Sequence, residues 1–177
     1  MNRVKKKKRI ICFTASCGGH LEELSKLSEL VGKNDFLFTE KSVNNNIEWC
    51  NDVVFVSQIN RKERFFVFKF IWLFMKSGYI LLKKKPDIII STGALVTYPI
   101  CLLGKILGKK IVYIESFARV DKASLTGKLM YKIADLFIAM ERIIEYISQC
   151  SLWWWNILMR RIAGDFSDFR DSEISIK

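Results

Sequence analysis

Hydrophobic residues fall in short blocks separated by polar, charged or glycine-bearing segments, and the blocks alternate between two lengths. Runs of strand length, rich in β-branched and aromatic residues, occur at Arg9–Phe13, Asp35–Thr39, Asp52–Ser57, Asp87–Ser91, Ile111–Glu115 and Asp135–Ile138. Longer blocks lie between them. Leu21, Leu24, Leu27 and Leu30 recur every three residues and paint an apolar stripe on an acidic helix over 21–30. A second helix is expected from about Phe65 to Lys83, ended by Lys85-Pro86, and a third from Leu95 to Leu107, containing Pro99 and stopped by Gly108. Another begins at Ser124. Strands alternating with helices of this length predict a parallel α/β sheet with right-handed crossovers. Ligands on such sheets sit beyond the carboxyl ends of the strands.

The 65–83 block departs from an ordinary amphipathic helix. It carries Phe65, Phe66, Phe68, Phe70, Trp72, Phe74 and Tyr79, with Lys69 and Lys76 as its internal charges, seven residues apart on one face. Two mid-span lysines and the Ser77-Gly78 pair argue against a spanning helix. Two readings remain: a basic, aromatic helix lying in a bilayer interface through Phe66, Phe70 and Trp72, or a helix that covers the sheet.

At 177 residues the chain is one domain with room for a tail, and with half its residues apolar it can bury a large core. The net charge of +11 is lopsided: Arg3, Lys5, Lys6, Lys7, Lys8 and Arg9 carry a large part of it. This block, residues 1–9, suits an anionic membrane surface, or simply keeps the first strand soluble. It lacks interleaved aromatics or a recognised motif, which speaks against nucleic acid. The five cysteines form no C-x-x-C pair, and one histidine cannot complete a zinc set, so neither metal nor cofactor is expected. Reduced core cysteines of a cytoplasmic protein fit this pattern. No apolar signal-peptide core follows the basic start.

Candidate chemistry concentrates in Thr14-Ala15-Ser16-Cys17-Gly18-Gly19-His20, between the first strand and the first helix. A strand, a glycine turn and a helix can aim backbone N–H groups at an anion, and glycines let a phosphate approach the backbone. Ser16, Cys17, Gly18 and Gly19 are therefore candidate diphosphate ligands; the plainer reading is a tight β–α turn. The Walker lysine and the full G-x-G-x-x-G pattern are missing, so neither an ATPase nor an ordinary dinucleotide enzyme is supported. Two further polar strand ends, Ser91-Thr92-Gly93 and Glu115-Ser116, belong to the same edge. A self-sufficient small enzyme with Cys17 as nucleophile beside His20 is the alternative from another class, since a thiol at a helix start can have a lowered pKa.

Taken together, Ser16-x-Gly18-Gly19-His20-Leu21, Asp87–Ala94, Tyr113–Val120, Ser124–Lys128 and Ala134–Phe137 resemble bacterial capsule and exopolysaccharide subunits of the PssD/CpsF type. These are similar to the membrane-anchoring subunit of the eukaryotic two-subunit N-acetylglucosaminyltransferase of dolichol-linked oligosaccharide synthesis. The resemblance implies the N-terminal, acceptor-side Rossmann-like half of a GT-B glycosyltransferase over residues 10–139. It also implies a separate nucleotide-sugar-binding subunit, a polyprenyl-diphosphate-linked acceptor, and a place on the cytoplasmic face of the plasma membrane. His20 resembles the histidine of the Gly-Gly-His loop in peptidoglycan lipid-intermediate glycosyltransferases, and Glu115 stands at a strand end where that group also carries Glu. Either serves as base or orients acceptor hydroxyls; Ser91, Thr92, Gly93, Ser116 and Arg119 become candidate acceptor contacts.

From about Met140 the pattern changes, and Ser151-Leu152-Trp153-Trp154-Trp155 invites a membrane-belt reading. Trp has the single codon UGG, so three in a row read as glycines in the +1 frame, and Met140-Glu141 opens Trp there. The shifted ending resembles that of the family, so residues 140–177 are read as an atypical tail, either frameshifted near residue 139 or an in-frame tryptophan anchor.

Overall fold

The computed structural model describes residues 9–42, 47–59, 64–116 and 124–139. The readings attached to Lys5, Lys6, Lys7 and Lys8, to Arg119 and to the tail 140–177 lie outside these residues. All six expected strands form: β1 (Ile11–Ala15), β2 (Phe36–Glu40), β3 (Val53–Val56), β4 (Ile88–Gly93), β5 (Lys110–Glu115) and β6 (Leu136–Ala139). They make one parallel sheet in the order β3-β2-β1-β4-β5-β6. This is the Rossmann strand order, in which the chain reverses its direction of travel between β1 and β4 and leaves a crevice at their carboxyl ends. The helices are α1 (Gly19–Ser25), α2 (Phe66–Lys84), α3 (Tyr98–Ile106) and α4 (Leu125–Tyr131).

The central strands β1, β2 and β4 are buried on both faces, as crossover helices require, while edge strand β3 is only partly covered. One face presents Cys12, Phe36, Phe38, Ile89, Ile111 and Tyr113 to Leu73, Ile80 and Leu81 of α2 and Ile100 and Cys101 of α3. Three of the aspartates that precede strands explain themselves. Asp35 accepts the Ile11 N–H at 2.9 Å and the Gly32 N–H at 2.7 Å. Asp87 accepts the Ile10 N–H, and Asp135 the Ile111 N–H, each at 2.9 Å. Backbone donors at the amino edge would otherwise lack partners, so these carboxylates pin neighbouring strand starts.

Two helices differ from expectation at their ends. The 21–30 stripe is α-helical only to Ser25 and continues as a 3₁₀ turn over Ser28–Leu30. Leucines spaced by three match the three-residue 3₁₀ turn rather than the 3.6-residue α turn. The Ser25 hydroxyl also donates to the Glu22 carbonyl at 2.7 Å, competing with continuation of the helix. Similarly, Leu95–Thr97 is a 3₁₀ turn, and α3 starts at Tyr98 with Pro99 in its first turn, where a missing N–H costs nothing.

α2 covers the sheet and still leaves an apolar face bare. Leu73, Ser77, Ile80 and Leu81 point inward, while Phe68, Ile71, Trp72, Met75, Tyr79 and Leu82 are each more than half exposed. Spacings of three, four and seven residues place this second set on one continuous stripe. Trp72 belongs to it; Phe66 and Phe70 do not. Phe66 stacks on Phe70 at 5.4 Å between ring centroids, Phe70 meets Phe74 edge-on at 5.3 Å, and Phe70 packs against the core. Among the described residues no helix is long and apolar enough to cross a membrane.

Candidate functional site

The crevice between β1 and β4 is where the sequence-predicted residues meet. The β1–β4 pairing slips between Thr14 and Ala15, so Ala15 lies opposite Gly93. The chain then turns at Gly18, whose φ of 86° favours glycine, and its carbonyl accepts the Leu21 and Glu22 N–H groups at 3.0 and 3.1 Å. A β-carbon on either Gly18 or Gly19 would meet nothing within 4 Å, so open space lies over this turn.

His20, in the first turn of α1, is clamped from β4. Thr92 donates its hydroxyl to the His20 carbonyl at 2.7 Å. Gly93, at φ 120°, passes directly under the ring: a β-carbon there would stand 3.3 Å from His20 Cε1 and 3.0 Å from the Tyr113 hydroxyl. Nδ1 is closed off from solvent, although the side chain is 32% exposed. The Cε1 edge rests on Gly93, so Nε2 is the nitrogen left for a ligand. Nδ1 faces Glu23 Oε2 at 3.7 Å, and the other oxygen of Glu23 accepts the Ser116 hydroxyl at 2.8 Å.

Glu115 is 6% exposed and points at the start of α4, against Gly127; neither of its oxygens has a hydrogen-bond partner among the described residues. The Ser124 side chain caps α4 by accepting the Gly127 N–H at 2.8 Å and lies beside the Tyr113 phenol. Burial first, and the Glu115 charge second, hold the Tyr113 hydroxyl far above its ordinary pKa, so it stays a neutral donor. Buried carboxylates beside neutral donors can accept hydrogen bonds from hydroxyl groups of a bound ligand.

Two expected contacts are otherwise occupied. Ser91 is fully buried, donating to Thr97 Oγ1 at 3.0 Å and accepting the Gly93 N–H at 3.2 Å, so it shapes the turn from below. The Cys17 thiol faces the Glu40 carboxylate at 3.6 Å and accepts from the Gln58 amide at 3.8 Å. Desolvation, then the Glu40 charge, raise its pKa, the reverse of what a nucleophile needs. A protonated thiol turned toward a carboxylate speaks against both a nucleophile and an anion ligand at Cys17. Glu23, Glu40 and Tyr113 escaped the sequence reading. Only Glu23 left a signal, its i+3 spacing from His20, which stacks the two on one helix face.

The profile of the family described as oligosaccharide biosynthesis protein Alg14 like matches residues 52–154, more than half of the chain. The chain belongs to this family. Among curated relatives, this Alg14-like chain is 50% identical over 58 residues to the UDP-N-acetylglucosamine transferase subunit alg14 of Schizosaccharomyces pombe, covering 30% of the chain and 28% of that protein. It is 42% identical over 74 residues to the Candida albicans subunit, 38% of this chain and 34% of that one. The human subunit is 40% identical over 60 residues, 30% of this chain and 28% of that one. The matched parts thus span about a third or less of the relatives' own length. In fold, the Alg14-like chain is similar to MurG of Acinetobacter baumannii, with TM-score 0.57 and 15% identity over 75% of this chain and 41% of that one. It is similarly close to UDP-GlcNAc 2-epimerase of Methanocaldococcus jannaschii, with TM-score 0.56 and 14% identity over 73% of this chain and 39% of that one. These two likenesses speak for the Rossmann-like fold. The family match contains Ser91–Gly93 and Glu115 but starts after the Ser16–His20 turn, whose role therefore rests on its geometry.

Proposed function

We propose that this chain is the acceptor-binding, membrane-associated subunit of a two-component glycosyltransferase. It works with a separate subunit that binds the nucleotide-sugar, and the sugar passes to a polyprenyl-diphosphate-linked saccharide. The curated relatives carry the name of subunits of a UDP-N-acetylglucosamine transferase, which supports a division of labour between chains. Resemblance of the sequence motifs to the PssD/CpsF type supports bacterial capsule or exopolysaccharide synthesis as the setting we propose.

The observation that carries the reading is the placement of His20. Its side chain is 32% exposed with Nδ1 turned inward, between the uncrowded Gly18-Gly19 turn and the buried Glu115. A diphosphate seats over the glycines, while saccharide hydroxyls reach His20 and Glu115. His20 takes the proton from the attacking acceptor hydroxyl, the step a general base must perform. The bare apolar stripe of α2 rests in the cytoplasmic leaflet of the plasma membrane and keeps the lipid-linked acceptor within reach.

The test is reconstitution. The chain is expressed alone and with a candidate nucleotide-sugar-binding glycosyltransferase subunit from the same organism, and transfer from nucleotide-sugar to a short-chain polyprenyl-diphosphate saccharide is measured. Transfer is expected only with both chains present. Full transfer by the single purified chain overturns the reading.

A further inference from the structure

His20 is held on three sides, and the third side is the least expected. Gly93 lies under the ring and Thr92 holds the backbone carbonyl. Glu23, three residues on along α1, turns one oxygen toward Nδ1 at 3.7 Å and receives the Ser116 hydroxyl on the other at 2.8 Å. Ser116 follows β5, so α1 and the end of β5 are joined through this carboxylate. The distance to Nδ1 is longer than a hydrogen bond, and such contacts at catalytic groups tighten when the ligand arrives.

We propose that Glu23 is a positioning residue for His20. It selects the tautomer that carries its proton on Nδ1, and Ser116 fixes the rotamer of Glu23. The inference rests on the reading of His20 as the base. In the step it serves, the acceptor O–H proton moves to Nε2 as the acceptor oxygen bonds to the anomeric carbon of the donor sugar. The nucleoside diphosphate leaves with the electron pair of the broken bond. The imidazolium so formed holds its Nδ1–H against the Glu23 carboxylate, which stabilises the new charge. Among the described residues, the other titratable groups near the ring are Tyr113 from β5, which stays neutral, and Glu115 behind it.

The chain contains a single histidine, which gives the proposal a readout separate from sugar transfer. The full-length chain, carrying ¹⁵N-labelled histidine and no affinity tag, is titrated by NMR. The neutral ring is expected to be protonated on Nδ1. Glu23→Gln should shift the ring toward the Nε2–H tautomer, because the carboxylate facing Nδ1 is removed. Glu23→Asp should keep the Nδ1–H form, and Ser116→Ala should loosen the tautomer preference in the same direction as Glu23→Gln. A wild-type ring protonated on Nε2, or a tautomer that none of these variants moves, overturns the proposal. Should Glu23→Gln fail to fold, wild type and Ser116→Ala still decide. In the reconstituted pair, Glu23→Gln should lower kcat with little change in the KM for acceptor. Full turnover by His20→Ala would remove the base reading, and the NMR result would still decide what Glu23 does to the ring.

Discussion

The carboxylate of Glu115 fills the space that a β-carbon on Gly127 would need. Gly127 lies in the first turn of α4, where replacing glycine by alanine ordinarily stabilises a helix by about 0.5–1 kcal/mol. Here the clash outweighs that gain, since forcing atoms into a packed site costs about 1–3 kcal/mol. Gly127→Ala should therefore lower the urea midpoint. Glu115→Ala removes the obstruction, so the double variant should be more stable than the sum of the single changes implies. A Gly127→Ala chain that gains stability with Glu115 in place would show that the carboxylate does not sit against the turn.

Cys17 tests whether the loop houses a nucleophile. Desolvation and the Glu40 charge raise its pKa in the folded chain, so at neutral pH the thiol stays protonated. Iodoacetamide should label Cys17 more slowly than a free cysteine, with labelling that accelerates only above the ordinary thiol range. Glu40→Gln removes the second-largest cause and should speed labelling at pH 8. Peptide mass mapping separates Cys17 from the buried Cys12, Cys50 and Cys101. Rapid labelling of the wild type at pH 7 would return the nucleophile reading to consideration.

The strands were readable because each is a short apolar run, several announced by an aspartate with a structural task of its own. Asp35, Asp87 and Asp135 serve backbone donors of neighbouring strands, and that need is local to the sheet edge. The glycine turn was also readable, since Gly18 requires positive φ. What stayed hidden depends on contacts between elements. Glu23 matters because α1 brings it to Ser116, 93 positions away in sequence. Ser91 looked like a site residue because a polar strand end usually faces solvent, yet its hydroxyl turns inward to Thr97. Aromatic residues occur on every side of α2, so composition could not separate half-buried Phe70 from exposed Phe68; the packing of α2 on the sheet decides it.

That partition of α2 makes its own prediction. Phe68 and Trp72 are 73% and 61% exposed, so Phe68→Glu and Trp72→Glu should leave the melting temperature nearly unchanged. If this face enters a bilayer interface as proposed, binding to vesicles of phosphatidylglycerol and phosphatidylethanolamine should fall sharply, because a charge is placed on it. Leu73, one position on and 2% exposed, is the control: Leu73→Ala should cost about 2–5 kcal/mol of stability. Unchanged vesicle binding combined with lost association with the nucleotide-sugar subunit would make the stripe a protein interface instead.

Adjacent glycines and His20 separate binding from chemistry. A β-carbon on Gly19 has open space around it, so Gly19→Ala should fold normally. If a diphosphate lies against that backbone, the added methyl group blocks it, and the reconstituted pair should show a raised KM for acceptor. Gly93→Ala should behave differently. Its φ of 120° disfavours an L residue, and the new carbon would press on His20 and Tyr113. Stability should fall and His20 should be displaced, lowering kcat as well. His20→Ala should leave both stability and acceptor affinity nearly intact while reducing turnover by about 10²–10⁴-fold, the contribution of a general base. Melting curves and steady-state kinetics on the three variants distinguish these patterns. A Gly19→Ala chain that melts early, together with a fully active His20→Ala chain, would reduce the whole segment from Ser16 to His20 to a structural turn.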